Sequence, residues 1–179
     1  MTSITLNDLN GADTAAFTAL LGGVFEHSPW IAAQAAAGRP YAAIAGLHAA
    51  MCRQVEQSGH AAQLALIRAH PELAGKAALR GELTVESTKE QQGAGLNLCS
   101  AEEFEKLHAL NHAYNQKFGF PFIVAVRGHT RNSILELMER RLQNDSVEEM
   151  QQALQQIYQI ALFRLQELIE ENDSSEPRR

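Results

Sequence analysis

At 179 residues with a net charge of −6, the chain has the size of one domain and lacks the basic footprint that phosphate backbones require, which argues against a nucleic-acid partner. A hydrophobic content of 45% excludes a disordered chain. No run approaches the roughly 18 apolar residues that cross a bilayer, so no membrane association is expected. Alanine, leucine, glutamine and glutamate dominate, which favours helix.

In chain order, Leu6, Leu9, Phe17, Leu20, Leu21 and Phe25 recur at helical spacing, with Asn10 or Asp13 available as a cap. Pro29 suits the first position of a short helix carrying Trp30, closed by Gly38 and Pro40. Tyr41, Ile44, Leu47, Met51 and Val55 step by three or four residues and predict an amphipathic helix ending near Ser58 and Gly59. Leu64 and Ile67 continue the pattern until Pro71 interrupts it. His70 precedes that proline and should sit at a bend.

From Gly75 to Ser100 the periodicity weakens and polar residues accumulate, as in segments that display binding groups. Ser87-x-x-Glu90, Ser100-x-x-Glu103 and Ser146-x-x-Glu149 each read as a capping box. The first opens a short helix that Gly93 and Gly95 close. The second opens a helix with Phe104, Leu107, Asn111, Tyr114 and Phe118 along one side. Phe120 to Val126 has strand-like composition without a partner strand, which suits an isolated extended segment packed against helices. Thr130 or Asn132 can cap the next helix, with Ile134, Leu137, Met138 and Leu142 facing inward. The third box opens a long final helix with Val147, Met150, Leu154, Ile157, Ala161, Leu165 and Leu168 on its apolar side, and residues 172–179 read as a frayed tail. The expected architecture is an all-α single-domain bundle of about seven to nine helices with one extended segment, Phe120–Val126, over residues 1–179.

Arg164 shares a face with Ile157, Ala161 and Leu168 at offsets of seven, three and four residues. A guanidinium on an apolar stripe is costly unless an anion meets it. That anion could be an internal carboxylate or a ligand. His70 titrates near neutrality and could serve as an acid or base, although a histidine at a helix corner is often structural. Glu90 could be no more than its own cap, or a general base held charged at a helix N-terminus. Cys52 and Cys99 form no CxxC and read as small core fillers in a reducing compartment. His108 and His112 have metal-ligand spacing, but no third ligand accompanies them, so no metal is expected. The mild basic patch of Arg127, Arg131, Arg140 and Arg141 marks no recognition helix. The first residues have neither a basic n-region nor an apolar h-region, so no secretory signal is expected and the cytoplasm is the default.

Four motifs, taken together and in order, carry a resemblance: His-Pro-Glu-Leu-Ala-Gly-Lys at 70–76, Ser-Thr-x-Glu-Gln at 87–91, Asn-x-x-Tyr at 111–114 and Lys-Phe-Gly-Phe-Pro-Phe-Ile-Val at 117–124. The chain from about residue 12 to 170 resembles the 2-oxo-4-hydroxy-4-carboxy-5-ureidoimidazoline (OHCU) decarboxylases of urate degradation, and Ile-Ala-Leu-Phe-Arg-Leu at 160–165 fits the same family. The resemblance implies an all-α homodimer that needs no metal or organic cofactor and turns OHCU into (S)-allantoin and carbon dioxide. It implies His70 and Glu90 as catalytic residues. It implies Pro71, Ser87, Gln91, the backbone of Phe122, Ile123, Val124, Ala125 and Val126, and Arg164 as substrate contacts. The competing expectation is a helical module that binds a small anionic ureido or purine-derived ligand without reaction. In both, the substrate or ligand is a small molecule.

Overall fold

The computed structural model describes residues 4–170, and among these it holds ten α-helices, two single 3-10 turns and one pairing of two-residue strands, so the chain is all-α. Helices outnumber the expected seven to nine because short breaks cut stripes that read as continuous. The Leu6–Phe25 stripe becomes α1 (Leu6–Gly11) and α2 (Thr14–Leu21), separated by an extended Ala12 and by Asp13. Asp13 is the cap, its carboxylate accepting the Ala16 N–H at 2.8 Å. Asn10 instead binds the Tyr41 backbone, its side-chain amide donating to the Tyr41 carbonyl at 2.9 Å and accepting the Tyr41 N–H at 2.8 Å.

The described residues divide into two compact units. The first comprises residues up to Gly59 and those from Ile160 onward. It contains α1, α2, α3 (Pro29–Ala35), α4 (Ile44–Gln57) and the C-terminal part of α10 (Ser146–Leu168). Pro29 opens α3 at its first turn, as its missing N–H allows. Helix α2 packs on α3, and α3 on α4, with Phe17, Leu21, Ile31, Leu47, Met51 and Val55 buried. Two short strands, β1 (Ile4–Thr5) and β2 (Ile169–Glu170), pair in parallel with Ile4 opposite Ile169. Two residues are too few to show a strand period in the sequence.

The second unit runs from His60 to Gln159. It contains α5 (His60–Ala69), α6 (Lys76–Arg80), α7 (Val85–Gly93), α8 (Ala101–Phe118), α9 (Arg131–Arg141) and the first part of α10. Of the three capping boxes, only the one at Ser100 forms: Ser100 Oγ accepts the Glu103 N–H at 3.1 Å and Glu103 accepts the Ser100 N–H at 2.8 Å. Helix α7 begins earlier than expected because Thr84 caps it, accepting the Ser87 N–H on its hydroxyl at 3.2 Å. Ser87 therefore lies within the first turn and Glu90 one turn further on, so capping does not account for Glu90. At α10 the Asp145 carboxylate accepts the N–H groups of Val147 and Glu148 at 2.9 and 2.8 Å. A charged acceptor outcompetes the Ser146 hydroxyl at a helix N-terminus, and Glu149 turns inward.

Thr130 caps α9, whose buried side chains are Ile134, Leu135, Met138 and Arg141; Leu137 and Leu142 are only half-buried. Val147, expected on the apolar side of α10, is exposed. Gly119, with φ near +73°, ends α8 in the left-handed conformation that glycine adopts without a Cβ penalty. The chain then runs through Phe120–Val126 with every residue buried and no regular secondary structure, the isolated segment that its composition implied. Tyr114 packs edge-on to Phe122 at 5.4 Å and against Phe118 at 4.7 Å. The expected frayed tail at 172–179 lies outside the described residues. No helix among those described is long and apolar enough to cross a membrane.

Candidate active site

His70 ends α5 at a bend, as its place before Pro71 requires. Its ring is buried, at 6% exposure, and Nδ1 lies 2.9 Å from the Leu66 carbonyl. A carbonyl only accepts, so Nδ1 carries the proton of that hydrogen bond. In the neutral ring the lone pair is then on Nε2. This backbone contact fixes the tautomer of the neutral ring.

The loop that follows is held by three side chains from two helices, α7 and α8. Gln91 uses both ends of its amide on it: Oε1 accepts the Ala74 N–H at 2.9 Å and Nε2 donates to the Glu72 carbonyl at 3.3 Å. Asn111 Nδ2 donates to the Leu73 carbonyl at 3.0 Å, and Asn115 Nδ2 donates to the Glu72 carboxylate. Ala74 sits at a φ of 48°, a left-handed geometry that costs an alanine on the order of 1 kcal/mol and persists only where the surroundings impose it. A Cβ at residue 75 would lie 2.7 Å from that of Glu72, so the turn needs Gly75 for space. These contacts explain the composition of the His70–Lys76 motif as a locked loop.

Gln91, expected among the substrate contacts, holds through its amide the loop that follows His70 and Pro71. Replacing Gln91 with leucine should speed hydrogen exchange at the Ala74 amide and lower stability by about 1–3 kcal/mol, the usual cost of stranding buried polar groups. Exchange at the wild-type rate would remove this role. Ser87, Glu90 and Gln91 share one face of α7 at offsets of three and four residues, with Ser87 and Gln91 buried and Glu90 half-buried.

The segment Phe122–Val126 is held by side chains of α9 and α10. Arg141 Nη1 donates to the Ile123 carbonyl at 2.6 Å, and the Ala125 N–H donates to Gln156 Oε1 at 2.9 Å. Phe122 is only 1% exposed, its ring flanked by Tyr114 and by the Arg141 guanidinium at 4.5 Å. Its side chain is therefore a core group of this unit, and the Ala125 amide is taken by the protein.

Arg164 lies in the first unit, where Nη1 meets Glu26 at 2.9 Å and the Gly23 carbonyl at 3.2 Å, with both charged side chains buried. The anion that its stripe demanded is supplied by the chain itself. Sequence reasoning missed Glu26, which lies in no periodic stretch. It also missed Glu149, although a signal existed: Glu149, Ala153 and Ile157 lie four residues apart along the buried face of α10, the pattern that singled out Arg164. Two members of the supposed basic patch are paired, Arg131 with Glu103 at 3.0 Å and Arg141 with Glu149. Burial pushes the Cys52 thiol up to about 12 and raises that of Cys99, so neither is set up as a nucleophile near neutral pH.

A family model described as OHCU decarboxylase matches residues 10–166. A 2-oxo-4-hydroxy-4-carboxy-5-ureidoimidazoline decarboxylase of Halalkalicoccus jeotgali is 39% identical over 98% of both chains. The uric acid degradation bifunctional protein PucL of Bacillus subtilis is 41% identical over 98% of this chain, which spans only 35% of that protein's length. A crystal structure of an (S)-allantoin synthase superposes with a TM-score of 0.74 at 31% identity, covering 93% of this chain and 54% of that one. An OHCU decarboxylase crystallised in the presence of (S)-allantoin shares the fold, with a TM-score of 0.67 at 20% identity, 89% of this chain and the whole of that one.

Proposed function

The chain belongs to the OHCU decarboxylase family, and on that ground we propose that it releases carbon dioxide from OHCU to give (S)-allantoin, the last step of urate degradation. The substrate carries its own electron sink. When the bond to the carboxylate breaks, its electron pair passes into the neighbouring ring C=N, whose nitrogen takes up a proton from solvent, so the chemistry calls for neither metal nor organic cofactor. The hydroxyl on the same carbon then gives up its proton to become the carbonyl of allantoin, and the ureido-bearing carbon gains one. Which face receives that proton decides the configuration.

The observation that carries this reading is the locked His70. With Nδ1–H bound to the Leu66 carbonyl, Nε2 is the basic nitrogen, suited to take the hydroxyl proton. We assign Glu90, on the inward face of α7, as its catalytic partner, and Pro71, Ser87 and Gln91 to the surrounding substrate pocket. Because the Ile123 carbonyl and the Ala125 amide are engaged by the protein, the amides of Phe122, Ile123, Val124 and Val126 are the ones we assign to developing charge on the substrate. Arg164 is assigned as a further anion contact, its guanidinium steadied by Glu26.

We further propose that residues 12–170 act as one catalytic domain, that the protein works in the cytoplasm, where its two free cysteines stay reduced, and that it forms a homodimer. Sedimentation equilibrium tests the homodimer: the mass of two chains is expected, and the mass of one would contradict it. Carbon dioxide release from carboxyl-labelled OHCU, generated fresh from urate, tests the activity. The purified chain should exceed the spontaneous rate by orders of magnitude, and equality with that rate would contradict the assignment.

A further inference from the structure

The second unit holds a buried ionic cluster with no part in the chemistry above. Glu149 is fully buried, and its carboxylate accepts from the Tyr114 hydroxyl, from Arg141 Nε at 2.7 Å and from Asn144 Nδ2 at 2.9 Å, with Arg141 Nη2 in ionic contact at 2.5 Å. Burial, reinforced by Glu149, pushes the Tyr114 phenol well above its ordinary range, so the hydroxyl remains a donor. Arg141 is also buried, and its remaining contacts all run to one place. Nη1 holds the Ile123 carbonyl at 2.6 Å, and the guanidinium plane covers Phe122. The planar fork can do this because Nε and Nη2 face Glu149 while Nη1 faces away.

We propose that Arg141 and Glu149, with Tyr114, are positioning residues that fix the backbone of Phe122–Val126 at the substrate. A chain of buried residues without regular secondary structure has no ladder of its own to set the direction of its amides. Holding one carbonyl of the segment from Arg141 and one amide from Gln156 orients the peptide groups between and beside them. The inference rests on the assignment of those amides to the substrate. The cluster reaches the reaction only through the backbone and does not touch substrate.

Arg141→Lys keeps a cation for Glu149 but cannot hold Glu149 and Ile123 together in the same geometry. Hydrogen exchange in a peptide covering 120–126 should accelerate at least about tenfold, with α8 unchanged. The KM for OHCU should rise at least about tenfold, and the enantiomeric excess of the (S)-allantoin should fall. Tyr114→Phe, a milder change, should move all three in the same direction to a smaller extent. Ile31→Val, a core change in α3 of the first unit, supplies a destabilised control whose KM and enantiomeric excess stay at wild-type values. Unaltered exchange in 120–126 would overturn the clamp. Faster exchange with unchanged KM and enantiomeric excess would overturn its role in positioning. A wild-type chain without decarboxylase activity would instead overturn the functional assignment, and positioning for that reaction with it, while the exchange result would still report on the clamp.

Discussion

Replacing His70 with asparagine should lower kcat for OHCU decarboxylation by at least about a hundredfold while leaving the fold intact. Asparagine is chosen because its Nδ2 falls close to the position of the imidazole Nδ1 and can keep the hydrogen bond to the Leu66 carbonyl, now 2.9 Å long. What disappears is Nε2, together with one ring carbon. His70→Ala removes both and should add a cavity cost on top of the same catalytic loss, since the ring is buried. If asparagine preserved kcat and the handedness of the product, His70 would be a structural corner and the base would have to be sought elsewhere on the site.

The second large effect is expected at Arg164 and Glu26. Arg164→Met leaves a buried carboxylate without its guanidinium, which costs about 3–5 kcal/mol in comparable sites and should lower Tm by on the order of 10 °C. Replacing both partners, Glu26→Leu with Arg164→Met, should recover much of that stability, because two apolar groups need no compensation. Activity separates the two roles of the arginine. If Arg164 also contacts the substrate, the stable double variant remains at least about a hundredfold down in kcat/KM. Return of activity with stability would leave the pair a purely internal salt bridge.

What the sequence disclosed follows from which interactions are local. Pro29 at the start of α3, the Ser100 capping box and the lone extended run at 120–126 depend on residues within a few positions of one another, and all are present; the helical stripes form too, but Ala12 interrupts the first, and Leu20 and Val147 are exposed. The boxes at Ser87 and Ser146 failed because a second candidate cap stood close by in each case, Thr84 and Asp145, and the pattern S-x-x-E does not rank competitors. The charged partners were hidden for a different reason. Glu26 and Arg164 are separated by 138 positions, and nothing near Glu26 signals a buried carboxylate. Glu149 was legible in principle, since it lies on the stripe of Ala153 and Ile157, but the apparent cap offered a simpler account of it.

The site shows the same division. His70-Pro71 was readable as a corner, and the motif order pointed to its family. The means by which the corner is held could not be read: Gln91 and Asn111 reach the loop from 17 and 38 positions away. These bonds make Gln91 and Asn111 part of the frame around His70.

The most direct test is circular dichroism of the product formed from freshly generated OHCU by the purified chain. (S)-Allantoin should accumulate far faster than the spontaneous reaction supplies it, and the His70→Asn variant should return the signal to background. Racemic allantoin appearing at the spontaneous rate in the presence of the wild-type chain would contradict the proposed activity.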